Sequence, residues 1–189
     1  GELALEAGLP AGVLNVVHGA GPETGEAIVR HDAVTAVTFT GSTPVGKRIA
    51  GIAGPLLKKV SLELGGKNPT LVFADGDWRD HMGTLVRSAF QNSGQICLCG
   101  SRILVERRAY AEFRDAFVQA ALALRPGDPM DPDANLGPLV SQAHFDKVVA
   151  AIARARDEGG RVLCGGQALE RPGWFVAPDS VPLRQPQDS

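Results

Sequence analysis

Aromatic residues make up only 5% of this 189-residue chain, and cysteine occurs just three times. Three unevenly spaced thiols do not build a disulfide framework; they suit a reducing compartment, and the expected location is cytoplasmic. Net charge is nearly absent at -2, which gives no reason to expect nucleic acid or an anionic membrane as a partner. No apolar run is long enough to span a bilayer, and there are no internal repeats or low-complexity segments. What is present is ordinary α/β composition, 44% hydrophobic and 21% charged with 23 glycines, in a length that fits one or two domains.

Glycine and proline punctuate the chain into a regular alternation. Residues 1–7 read as the end of a helix, stopped by Gly8 with Pro10 beyond. Residues 13–17 read as a buried strand, 19–22 as a turn and 24–30 as a short helix. An apolar, β-branched run predicts a strand over 33–40, followed by a Gly-Ser-Thr loop and a helix over 46–53. Residues 59–64 close this unit, and Gly65-Gly66 reads as a hinge, giving domains 1–65 and 66–189. In the second domain strands are expected at 70–74 and 102–106, and helices at 78–91, 109–124 and 141–158. The 109–124 helix carries Phe113, Phe117, Ala120 and Leu124 on one face, and Ser141 is the expected cap of the last. Two short strands, 161–164 with Cys164 inside it and 174–176, complete the ordered part. Strand alternating with helix implies a parallel sheet.

Three stretches carry candidate chemistry. In Phe90-Gln91-Asn92-Ser93-Gly94-Gln95-Ile96-Cys97-Leu98-Cys99-Gly100-Ser101-Arg102, small residues allow Cys97 to approach a ligand closely, ahead of the apolar run Ile103-Leu104-Val105. A thiol becomes nucleophilic only as thiolate, in a setting of N–H donors or cations; most cysteines are simply small buried hydrophobes. Cys99 could form a metal pair with Cys97, but a two-residue spacing with no His or other Cys nearby is weak evidence for one, and Cys99 reads rather as lining the site or packing beneath it. The second stretch, Leu62-Glu63-Leu64-Gly65-Gly66-Lys67-Asn68-Pro69, sets a carboxylate beside the hinge, where partial burial would raise its pKa toward that of a general base; a lone Glu is otherwise a solvated surface group.

The third stretch, Phe39-Thr40-Gly41-Ser42-Thr43-Pro44-Val45-Gly46, follows a strand and opens a helix, so its N–H groups can hold a phosphate. With Lys47 it also fits most of the P-loop pattern, and Leu71-Val72-Phe73-Ala74-Asp75 imitates the partner strand, which keeps a nucleoside triphosphatase open. Arg48 stands where that motif needs a hydroxyl on magnesium, and Pro44 removes one N–H. A purely structural turn is the third reading.

Taken in order, these segments resemble the nucleophile, general-base and cofactor-loop motifs of the aldehyde dehydrogenase superfamily, with Gly8-Leu9-Pro10-Ala11-Gly12-Val13-Leu14-Asn15-Val16-Val17 and Leu136-Gly137-Pro138 extending the likeness. The Asn92–Cys99 loop is most similar to the branch acting on muconic semialdehydes. The resemblance implies an α/β fold: part of a Rossmann-type cofactor domain, then part of an α/β catalytic domain. It implies that Cys97 attacks an aldehyde, with its own N–H as one oxyanion donor, that the adduct gives up hydride to leave a thioester, and that Glu63 activates the hydrolytic water. Cofactor contacts fall on Gly21, Gly41, Ser42, Thr43, Val45, Gly46 and Leu64, for NAD or NADP; no metal is implied. The expected partners are a small-molecule aldehyde and, for the full-length protein, further copies of itself as dimer or tetramer. The family's Pro-Trp-Asn, Lys-Pro-x-Glu and Glu-x-Phe-Gly-Pro segments are not found, so the chain is expected to be an interior piece, inactive and poorly folded alone; an inactive structural remnant is the alternative.

Overall fold

The computed structural model describes residues 1–178 and the backbone of Pro182–Leu183; the rest of the domain expected to end at 189 lies outside the described residues. The chain divides into two compact units, one ending at Gly65 and the other beginning at Gly66.

In the first unit, α1 (Glu2–Glu6) ends in a Schellman turn. Gly8 adopts φ 89, its N–H reaches Leu5 O at 3.0 Å, and Leu9 N–H reaches Ala4 O at 2.9 Å. A π-helical turn (Gly21–Gly25) runs into α2 (Glu26–Arg30), so the helix starts inside the expected turn. Strand β1 (Ala36–Gly41) pairs in parallel with β2 (Lys59–Leu64), and α3 (Thr43–Ala53) is the crossover that parallel pairing requires. Gly46, Ile49 and Ala53, on one face of α3, are buried. The Glu26 carboxylate accepts Arg30 within α2 at 2.8 Å and Arg48 of α3 at 2.6 Å, and the second pair ties the two helices. Lys58 Nζ donates to the carbonyls of Val29 and His31 at the end of α2, at 2.7 and 2.6 Å.

The expected strand at 13–17 is not formed. Its backbone is irregular, and Val13, Leu14, Val16 and Val17 are all more than half exposed. A strand is stable only against a neighbour that takes its N–H and C=O groups, and among the described residues none pairs with this run.

In the second unit, β3 (Pro69–Val72) pairs in parallel with β4 (Arg102–Val105). Between them lie α4 (Met82–Phe90) and the thiol segment; α4 begins four residues later than expected, because residues 78–81 are turn. Helix α5 (Tyr110–Leu122) buries Phe113, Phe117 and Ala121 at successive i+4 positions, with Ala120 and Leu124 half-buried beside them. The core gathers Val72, Trp78, Val86, Ala109, Phe113 and Phe117. Trp78 meets Phe113 edge-on at 5.3 Å, and Arg79 lies 4.2 Å over the Trp78 ring, while the buried Trp78 Nε1 has no partner among the described residues. Glu106, after β4, accepts the Ala74 N–H at 2.8 Å and the Arg108 guanidinium at 2.6 Å.

Helix α6 (Gln142–Asp157) is capped at one end by Ser141, whose hydroxyl accepts the His144 N–H at 3.3 Å. Its other end is a second Schellman turn, with Gly159 at φ 84 and Gly160 N–H reaching Ala155 O at 2.7 Å. The short β5 (Arg161–Val162) pairs antiparallel with β6 (Pro182–Leu183). It stops before Cys164, which therefore sits in a bend rather than in the expected strand. The expected strand at 174–176 is reduced to a bridge between Ala168 and Val176.

Phe113→Ala should lower the stability of the second unit by about 3–5 kcal/mol, since it removes a ring that meets Trp78 edge-on and stacks on Phe117, and a shift in the urea midpoint followed by circular dichroism measures it. The Arg30 and Arg48 guanidiniums hold the Glu26 carboxyl below the ordinary carboxylate range. Its folded pKa is thus depressed, so its contribution is present above the unfolded value of about 4.5 and lost as pH falls through the lower folded value. Glu26→Gln should accordingly destabilise the first unit at pH 7, with the difference from wild type disappearing in acid; an equal difference at pH 7 and pH 3 would contradict this.

Candidate active site

Parallel pairing brings the carboxyl ends of β1 and β2 out at one edge, the edge where sheets of this kind bind ligands. The register places Thr40 beside Glu63 and Gly41 beside Leu64. Most of the expected cofactor residues are therefore collected there. Gly41 ends β1, Ser42 is the N-cap of α3, Thr43 and Val45 lie in its first turn, and Leu64 ends β2. Ser42 makes no side-chain cap, and Pro44 has no N–H, so the Thr43 and Val45 amides open the helix without a capping oxygen. An anionic diphosphate fits such a terminus.

Gly46 is buried, and the Cδ2 of Leu64 lies 2.5 Å from where a Cβ on Gly46 would stand. In this structure those two residues pack helix on strand. Gly21 belongs to another element, where it opens the π-helical turn. Glu63 is exposed rather than partly buried, because it alternates with the half-buried Leu62 and Leu64 and points to the opposite face of β2.

The P-loop reading fails on the same geometry. Helix α3 starts at Thr43, so Thr43–Lys47 are helical instead of wrapping a phosphate, and Arg48 is engaged by Glu26. The expected helix start at Gly46 is corrected in the same way.

Cys97 lies in the second unit, exposed near the tip of a turn, whereas Cys99 is buried. After α4 the backbone enters the left-handed region three times in succession, with φ 51 at Asn92, 54 at Ser93 and 74 at Gly94. Two of these residues are not glycine, so the conformation carries a local cost of about 1–2 kcal/mol each and must be held by its surroundings. Three contacts hold it. Gln95 Nε2 donates to Asn92 O at 3.0 Å, Gln95 Oε1 accepts the Val140 N–H at 3.2 Å, and the Ser93 hydroxyl donates to Gly137 O at 2.8 Å. A cavity of about 60 Å³ lined by Phe90, Ser93, Leu136 and Leu139 lies against the same turn.

Beyond it, Cys99 N–H closes a turn onto Ile96 O at 3.1 Å, with Cys97 and Leu98 at its two corners. The Asn68 carboxamide donates to Cys97 O at 2.6 Å and to Cys99 O at 3.3 Å. Gly100 is buried where a Cβ would overlap the Thr70 and Ser88 hydroxyls, so this close approach requires glycine. The Cys97 N–H has no acceptor among the described residues. An exposed thiol beside a free amide N–H can present a nucleophile and an oxyanion donor to one carbonyl group. The sequence reading missed Asn68, Ser93 and Gln95 as fasteners; the Gly65-Gly66 pair and Pro69 flanking Asn68 were the available signal.

The Aldehyde dehydrogenase family model matches residues 1–182. The chain is 49% identical over 164 residues to 2-aminomuconic semialdehyde dehydrogenase of Mus musculus, covering 87% of this chain and 34% of the relative. It superimposes with a TM-score of 0.88, at 34% identity, on betaine aldehyde dehydrogenase from Staphylococcus aureus in complex with NAD+, covering 94% of this chain and 36% of that one. The NAD+ complex of aldehyde dehydrogenase from Bacillus cereus gives a TM-score of 0.90 at 39% identity, with the same coverage, 94% and 36%. The chain thus spans about a third of the length of the curated relatives it matches, and the described helices and parallel strand pairs are an α/β portion of their fold. It belongs to the aldehyde dehydrogenase family.

Proposed function

We propose that this segment carries the nucleophile, the general base and part of the cofactor site of an NAD- or NADP-dependent enzyme that oxidises an aldehyde to a carboxylic acid. The observation that carries the reading is Cys97, exposed on a pinned turn with no acceptor for its own N–H among the described residues. The Cys97 thiolate adds to the aldehyde carbonyl, and the Cys97 N–H takes the developing oxyanion of the thiohemiacetal. NAD or NADP, held at the start of α3, would supply the acceptor for the hydride that the adduct loses, and the Cys97 sulfur would keep the oxidised acyl group as a thioester. Glu63 then removes a proton from the water that hydrolyses the thioester, releasing the acid and the thiol.

Gly41, Ser42, Thr43 and Val45 hold the cofactor diphosphate at the start of α3, while Gly46 and Leu64 shape that edge by packing on each other; Gly21 is kept as a further contact on the family likeness. The first domain, 1–65, is the cofactor part and the second, from 66, the thiol part. The muconic semialdehyde branch is the proposed substrate class, supported by the 2-aminomuconic semialdehyde dehydrogenase relative. The full-length enzyme assembles as a dimer or tetramer in the reducing cytoplasm that this segment's three cysteines suit. An inactive remnant is the competing reading, and the same assays decide between them.

Cys97→Ala should abolish aldehyde-dependent NAD(P)H formation in the whole protein, whereas Glu63→Gln should keep a single-turnover burst and lower steady-state turnover by about 10²–10⁴-fold. Turnover retained by Cys97→Ala would exclude the mechanism, and no turnover in wild type with any aldehyde would favour the remnant. Across a substrate panel, 2-aminomuconic semialdehyde should give a higher kcat/KM than betaine aldehyde; the reverse order would reject the proposed branch.

A further inference from the structure

We infer that Asn68 is a positioning residue for Cys97, fixing the peptide on the carboxyl side of the thiol so that the sulfur and the Cys97 N–H face the same reacting carbonyl. The inference rests on the proposed role of Cys97 and extends it to a residue outside the thiol segment.

The geometry begins with the main chain. Asn68 O accepts the Arg102 N–H at 3.1 Å, and Lys67 O accepts the Arg102 guanidinium at 2.9 Å, just where β3 and β4 begin side by side. The Asn68 backbone is therefore fixed to the far end of the thiol segment. Its side chain then reaches across that segment to two carbonyls, those of Cys97 and Cys99.

Both partners are carbonyl oxygens and accept only, so the amide nitrogen must face them and both of its hydrogens are used. Cys99 O also accepts the Ser101 N–H at 2.8 Å, so it remains partnered if the side chain is removed. Cys97 O has no second donor among the described residues, and the shorter contact, at 2.6 Å, is the one made to it. Asn68 thus acts mainly on the Cys97–Leu98 peptide. The other fasteners of the segment, Gln95 and Ser93, lie before the thiol and do not fix this peptide. Without Asn68 the Cys97 corner keeps, among the described residues, only the Cys99-to-Ile96 bond, and the thiol and its N–H are free to turn apart.

The test compares alkylation of Cys97 and Cys164 by iodoacetamide across pH, read by peptide mass spectrometry, in wild type, Asn68→Ala, Asn68→Ser and Asn68→Asp. Asn68→Ala should slow Cys97 at neutral pH by about tenfold, the equivalent of one hydrogen bond, and leave Cys164 unchanged. Asn68→Asp removes the donor and brings a negative charge toward the thiolate, so the Cys97 midpoint should move to higher pH. Asn68→Ser keeps a donor and should retain more of the rate than Asn68→Ala. Dehydrogenase assays of the same variants should show a lower kcat with an unchanged KM for the cofactor. An unchanged Cys97 rate and midpoint in Asn68→Asp would overturn the inference, as would parallel changes at Cys97 and Cys164, which signal general loosening. Alkylation reports the turn itself, so failure of the catalytic reading, seen as turnover in Cys97→Ala, remains distinguishable from failure of the Asn68 role.

Discussion

Parallel strand pairing is the constraint on which the rest depends. Two parallel neighbours cannot be joined by a tight turn, so a crossover segment must carry the chain back along the sheet. In the first unit that crossover is α3, and its N-terminus necessarily lies at the carboxyl edge of β1 and β2, beside Glu63 and Leu64. In the second unit the crossover returns the chain to the amino edge, where Pro69 lies opposite Arg102. The thiol segment is the last part of that return. Cys97 is thereby brought within reach of the Asn68 side chain although the two are 29 residues apart in the chain.

Around the thiol, local strain and local bonding offset each other. Left-handed backbone at Asn92 and Ser93 is unfavourable in isolation, and it is held by Gln95 within the segment and by the distant stretch that carries Gly137 and Val140. Each bond is worth about 1 kcal/mol net. That scale matches the backbone cost, so the turn is specified by several modest contacts rather than by one strong interaction.

The elements read best from sequence were those whose ends are marked by local chemistry. Gly8, Ser141 and Gly159 delimit helices through turns and caps formed with their near neighbours, and the structure has them as expected. Residues 13–17 were misread because apolar patterning reports a capacity to pair, while pairing itself depends on a distant strand. The same holds for residues 174–176. Cys97 was legible as a motif, and the carboxyl edge of β1 was legible from its Gly-Ser-Thr run. Asn68 was not singled out, since a side chain spanning 29 positions to two backbone carbonyls leaves no periodic trace. Gly46 has a packing role that its loop motif does not announce: its missing Cβ makes room for Leu64.

The aromatic residues are unevenly divided between the units. Trp78, Trp174 and Tyr110 all follow Gly65, and Phe39 is the lone aromatic before it. Trp78 is buried against Phe113 under a guanidinium, so its emission is tied to the integrity of that core. Intrinsic fluorescence therefore follows the thiol-bearing unit and is blind to the one that carries Glu63 and the start of α3. A protein whose first unit had melted and whose second had not would emit as if it were folded.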